Sequence, residues 1–194
     1  MLDAIAECEK AGYADGLAAG LAQALTGVDV LCPPGPVAAV PAAAVPAGAA
    51  VIGHRLADLE GISLVRCADH EPARGLTALG ARLGAVRLGI TGLLIERAVE
   101  HLSGRTAGGE ATIHKQLVAG TLADALTATE SLRQRLLVAG HVAVAVTDLH
   151  DRLNAIDWEV AKLLGASGYL ACGPARGAYV ARLIANCWIA REAG

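Results

Sequence analysis

ERAVEHLSGRTAGGEATIHKQLVAGTLAD, residues 96–124, contains the end of one helix, a turn and the start of another. Upstream of it, Leu79, Leu83, Val86, Ile90 and Leu93 recur at three-and-four spacing, which predicts an amphipathic helix from about residue 75 to 103. Gly104 is a common kind of helix stop, and Arg105 stands where a cation complements the negative end of a helix dipole. A second helix is expected from about Ala111, with Val118, Leu122, Ala125, Leu132 and Leu136 on one face. A short glycine-containing turn between two such helices makes them antiparallel neighbours.

The pattern continues downstream. Val146, Leu149, Leu153, Ile156, Val160 and Leu163 form the cleanest apolar stripe, with Asp151, Arg152 and Glu159 off it. A fourth helix is expected from Pro174, a residue tolerated in a first helical turn, to about Arg191. Residues 2–26 read as a helix weakened by Gly12, Gly16 and Gly20, each costing roughly 1 kcal/mol relative to alanine. Between Val28 and Gly53 lie five of the seven prolines, which rules out continuous helix there, and Ile62–Cys67 alternates as a strand does. The sequence therefore predicts a mainly α protein: an antiparallel four-helix bundle over residues 75–194, preceded over 1–74 by a small irregular helix and β appendage.

With 194 residues, the chain is long enough for one well-buried core. Apolar residues make up 54%, largely Ala with the aliphatics, and charges break the long apolar runs before ~20 residues, so no membrane span is expected. A net charge of -3 with no basic block argues against a nucleic-acid or lipid surface. The acidic start, MLDAIAECEKAG, lacks the form of a secretory signal, so a cytoplasmic location is expected. The five cysteines are scattered without metal-ligand spacing and read as structural thiols; no metal site is indicated. Hydrolase, phosphate-loop and dinucleotide fingerprints are absent.

The opening stretch resembles the C-terminal helical domain of acyl-CoA dehydrogenases. In that family a helix ends in an Arg, followed by Phe-Gly, a Gln and then Leu-Ala-Asp; Arg105, Gly109, Gln116 and Leu122-Ala123-Asp124 coincide. LLGASGYLACGPARGAYVARL (residues 163–183) is similar to the family's glycine turn, matching Gly165, Gly168, Tyr169, Pro174 and Tyr179. Residues 40–69 resemble, more faintly, the closing strands of its middle β domain. The resemblance implies that Arg105, Gln116 and Gly168 contact FAD, which in the family belongs to a neighbouring subunit. A guanidinium can fork onto a pyrophosphate, and glycine admits a close backbone approach. Arg105 and its glycines equally suit a plain helix end.

The departures from the family bear on function. The motif's Phe is Gly108, Lys115 replaces an aromatic, and Val180-Ala181 stands where an Arg-Asp pair is expected. The family's reaction needs a carboxylate at the substrate α-carbon while hydride passes to flavin. The two positions where the family places that glutamate match Ile189 and Leu79, neither able to take a proton. Glu192 is the nearest substitute in sequence. On the third helix, His150, Asn154 and Asp157 recur at helical spacing; His150 and Asp157 would serve as an acid/base pair if that face lined a cavity, and as helix-to-helix hydrogen bonds otherwise. Trp158 and Trp188 are candidate interface anchors.

Family members are much longer, so this chain is expected to bind no flavin alone and to share FAD, if at all, at a subunit interface. The leading expectation is a truncated acyl-CoA-dehydrogenase-like subunit of a heteromeric, biosynthetic complex, unable to dehydrogenate by itself. Two rivals stay open. One is a flavin-independent enzyme performing elimination, cyclisation or isomerisation on an acyl or carrier-bound substrate, with His150, Asp157 or Glu192 as acid/base. The other is a residual FAD-dependent dehydrogenase. Expected partners are a second protein, or a second copy through the bundle, with no nucleic acid and no membrane.

Overall fold

In the computed structural model, which describes residues 2–68 and 74–189, the chain opens with two helices, α1 (Leu2–Ala14) and α2 (Leu17–Ala24). The weak first helix breaks at Gly16, whose φ of +87° other residues rarely adopt. Gly12 serves packing instead: a Cβ there would lie 2.6 Å from the Val86 carbonyl oxygen.

The proline-rich stretch forms a three-stranded antiparallel sheet from β1 (Val37–Pro41), β2 (Ala50–Ile52) and β3 (Ile62–Arg66), in the order β1-β3-β2. Pro41 ends β1 opposite Ile62. A proline is tolerated on such an edge strand, where one side of the backbone needs no partner. A short helix, α3 (Arg55–Leu59), precedes β3; its N-cap is His54, whose Nδ1 accepts from the Ala57 amide at 3.2 Å.

Four long helices follow: α4 (Leu76–Ser103), α5 (Gln116–Ala139), α6 (Ala143–Leu163) and α7 (Arg176–Trp188). Two starts differ from the sequence reading. α5 begins at Gln116 rather than Ala111, because Thr106–Ala107 pairs with Glu110–Ala111 as a small hairpin around Gly108 and Gly109. Both glycines take positive φ, +66° and +83°, the backbone that tight hairpin turns require. α7 begins at Arg176, with Pro174 in the turn before its N-cap, Ala175.

α4 and α6 run the same way, since Gly80 abuts Val146, Gly84 abuts Leu149 and Thr91 bonds to Asp157. α5 runs back between them, and α7 returns along α4, with Gly177 near Ile90. This is the up-down-up-down bundle expected. α1 is more than an appendage: it lies along α4, and a Cβ on Gly89 would come within 2.3 Å of the Glu9 carbonyl oxygen. One cluster of buried side chains runs from Ile5 and Leu21 through Val40 and Ile62 to Leu88, Leu153 and Trp188. Trp188 is wholly buried, and its indole N–H donates to the Ala39 carbonyl at 2.8 Å, tying α7 to β1; it is an internal tie and not a surface anchor. α4 is long and apolar enough to cross a membrane, but most of it is buried as the central helix of this bundle.

Candidate functional site

Three places carry the polar residues singled out in the sequence. The first is inside the bundle. Arg87 projects from the middle of α4, 2% exposed, into the groove against α6. Its Nη1 donates to His150 Nδ1 at 3.2 Å and to the His150 carbonyl at 3.0 Å. Its Nη2 donates to Asn154 Oδ1 at 2.8 Å and to Asp157 Oδ2 at 3.1 Å, and the other Asp157 oxygen accepts from the Thr91 hydroxyl at 2.6 Å. His150, Asn154 and Asp157 lie one helical turn apart on α6, so a single guanidinium spans all three.

The bonds fix the tautomer of His150. Its Nε2 lies 3.0 Å from the Gly80 carbonyl, which only accepts, so Nε2 carries the proton. Nδ1, facing an arginine that only donates, must be the acceptor. His150 is fully buried with both ring nitrogens occupied, and neither faces a substrate. His150 and Asp157 are thus brought together, but on Arg87 and not on each other: the geometry is that of helix-to-helix hydrogen bonding, not of an acid/base pair. Burial pushes the Asp157 carboxyl above the usual range, and the Arg87 and Thr91 bonds pull it back. Burial likewise lowers Arg87, opposed by Asp157.

Arg87 and Thr91 were not among the residues picked out by sequence. The available signal was a charged and a hydroxyl side chain on the inward side of an otherwise apolar helix, which only a buried partner of opposite character explains.

The second place is a half-open cavity of about 760 Å³ between α3, α6, the 3₁₀ turn Gly165–Tyr169 and α7. Asp157 reaches it with the 12% of its side chain that stays exposed. Trp158, Tyr169, Leu170 and Tyr179, each at least half exposed, form its walls. Gly168 lines it too, but the space a Cβ would take there is filled by the chain itself, the Ala161 carbonyl oxygen standing 2.3 Å away. That close approach explains the glycine without a ligand.

The third place is the end of the bundle where α4 turns into α5. Arg105 is exposed, its Nη1 3.3 Å from His101 Nε2, and Gln116, the first residue of α5, is exposed as well. Neither lines the large cavity. Their side chains can meet a planar or anionic group presented from outside. Exposed in this way, the pair fits contact with the edge of such a group.

Leu79 and Ile189, the two positions matching the family's glutamate, are 1% and 9% exposed. Glu192 lies outside the described residues.

No protein-family model and no curated protein matches this sequence. Solved structures do share its fold. A chain of the ChsE4-ChsE5 complex from Mycobacterium tuberculosis is 17% identical, with a TM-score of 0.64 over 94% of this chain and 75% of that one. A chain of the Tcur3481-Tcur3483 steroid ACAD is 19% identical, with a TM-score of 0.57 over 71% of this chain and 43% of that one. An acyl-CoA dehydrogenase from Geobacillus kaustophilus is 13% identical, with a TM-score of 0.56 over 73% and 47%. The chain has the fold of part of an acyl-CoA dehydrogenase, spanning less than half the length of the last two.

Proposed function

We propose that the chain is a subunit of a heteromeric acyl-CoA-dehydrogenase-type complex, supplying bundle and interface while another polypeptide supplies the catalytic base. The observation that carries this reading is the pair Leu79 and Ile189. Within a fold that supports α-proton abstraction elsewhere, both matching positions are apolar and packed. The reaction cannot proceed without a proton acceptor within hydrogen-bond reach of the substrate.

The rest of the surface agrees. Leu117 and Val138, near the two ends of α5, and Val144, at the start of α6, stand 86%, 77% and 75% exposed, apolar side chains that a second bundle would cover. Gln116 precedes Leu117 at the start of α5, and with Arg105 it would hold the edge of a flavin bound mainly by the partner. When bound, FAD would accept the hydride of an acyl-CoA oxidation. This chain's part would be to bind and orient: a guanidinium for the pyrophosphate and a carboxamide for a ring or ribose edge. Two of the structures sharing the fold are named as two-component assemblies, ChsE4-ChsE5 and Tcur3481-Tcur3483, which supports a protein partner here.

The test is co-purification from the native host with a tag on this chain, followed by flavin analysis. The expected result is a colourless chain alone and a yellow hetero-oligomer, with R105A/Q116A lowering bound flavin in the complex without dissociating it. A chain that purifies alone as a stable, flavin-loaded dehydrogenase would overturn the reading.

A further inference from the structure

The cavity beside α6 is lined by neither Arg105 nor Gln116, and we infer that it is a binding site for a small, largely apolar organic acid. The body of the ligand would lie among Trp158, Tyr169 and Tyr179, with its carboxylate on the Arg182 guanidinium.

The shape suits a small molecule. A concave space of about 760 Å³ falls within the range of small-molecule pockets, whereas a docked protein helix or sheet is met by a longer, shallower face. The walls are also prepared for one. Trp158 meets Tyr169 edge-on, with centroids 5.7 Å apart and planes at 71°, and Tyr179 stacks on His54 at 6.3 Å and 19°. These rings are about half exposed yet already held by one another, so little side-chain freedom remains to be lost when a ligand lies against them.

The charges give the ligand its sign. Four charged side chains line the cavity. Asp157 is committed to Arg87, and Arg176 to Glu60 and the Ala171 carbonyl. Asp151 also has a partner. Arg182 is exposed and makes no ion pair or hydrogen bond among the described residues. It stands one helical turn beyond Tyr179 on α7, so its guanidinium and the tyrosine ring face the same space. A cation there would be repelled, and a neutral ligand would leave the guanidinium unused. A carboxylate completes it with two parallel hydrogen bonds.

The experiment uses the full chain, decanoate as the acid and decanol as its neutral counterpart, read by calorimetry and by tryptophan fluorescence. Of the two tryptophans, only Trp158 is at the cavity, so its emission should change on binding. The expected results are saturable decanoate binding, weakened about tenfold or more by R182Q, with decanol binding unaltered by that change. Ala155→Trp, at an exposed position on the wall, should block both ligands without unfolding the chain. Equal loss of acid and alcohol with R182Q, binding that survives Ala155→Trp, or no saturable binding of either decanoate or anilinonaphthalene sulfonate would overturn the assignment. Displacement of decanoate by lower concentrations of ADP would make the cavity a nucleotide site and overturn it equally. Since the readout is binding to the chain alone, failure here leaves the co-purification result unaffected, and the converse holds.

Discussion

Replacing Arg87 by methionine keeps the length and apolar stem of the side chain and removes the charge and every donor. Four acceptors lose a partner at once: His150 Nδ1, the His150 carbonyl, Asn154 Oδ1 and Asp157 Oδ2. The greatest loss falls on Asp157, left as a mostly buried carboxylate beside one hydroxyl. Removing one member of a buried ion pair costs about 3–5 kcal/mol, a large part of the roughly 5–15 kcal/mol by which domains are stable. The double substitution R87M/D157L removes both charges, and replacing a buried pair by packed apolar groups is often neutral. The expected result is therefore non-additive: R87M should lower the urea midpoint by the equivalent of about 3–5 kcal/mol, and R87M/D157L should recover at least about 2 kcal/mol of it. If R87M does not fold, D157N supplies the second measurement, with a cost of about 1–3 kcal/mol because Arg87 loses its counter-charge but keeps a hydrogen-bond acceptor. A cost below about 1 kcal/mol for R87M, at unchanged denaturant slope, would refute the reasoning, since it would mean that water reaches the guanidinium.

Gly89→Ala should cost about 1–3 kcal/mol in denaturant unfolding, because its Cβ would sit 2.3 Å from the Glu9 carbonyl oxygen on α1, and backbone must move to relieve it; a neutral outcome would mean that α1 does not pack there. Iodoacetamide at pH 8 followed by peptide mapping should label exposed Cys172 well before Cys187, since burial pushes the Cys187 thiol up to about 11. That same thiol should destabilise the fold in alkali. Its folded value lies above the ordinary 9.0, so its contribution is complete below pH 9 and is lost as pH rises through about 11, at most about 2–3 kcal/mol. C187A should flatten the alkaline limb of the stability curve, and an unchanged limb would contradict this.

The bundle was legible because its signal is local. The stripes on α4 and α6 repeat at helical spacing, and each buried position they name, from Leu79 to Val160, depends only on residues within its own helix. A weakened first helix was legible from its three glycines, but not that Gly16 is the one that breaks it. What the sequence hid depends on distant partners. Gly12 read as a weakness, but it and Gly89 are the places where α1 and α4 touch backbone to backbone, a fact of tertiary packing that no window around either residue contains. Gly108 and Gly109 hid a hairpin whose strands are two residues each, too short for any periodicity to register. At the candidate site, the face holding His150, Asn154 and Asp157 was visible, but its meaning required Arg87, sixty-three residues from His150. The cavity was invisible as a unit, because its walls come from α3, α6, a 3₁₀ turn and α7, and only their packing makes a concave surface.

On the proposed reading, the absence of a glutamate at the two matching positions is a matter of packing as much as of a single missing carboxylate. Leu79 is one of the largest wholly buried side chains of the protein, and Ile189, at the C-cap of α7, approaches Gly80 next to it. Both matching positions therefore belong to one apolar contact between the start of α4 and the end of α7. A glutamate restored at either would have to be desolvated among aliphatic carbons, which favours the protonated acid, and a protonated acid cannot abstract a proton. The polar groups that α4 does carry inward, Arg87 and Thr91, are spent on α6 and fix which helix lies against which. The interior thus holds the interactions that define how the bundle is assembled, and its apolar packing at these two positions disfavours a charged carboxylate. On the proposed reading, a partner would bring its own carboxylate and meet this bundle near the exposed Arg105 and Gln116.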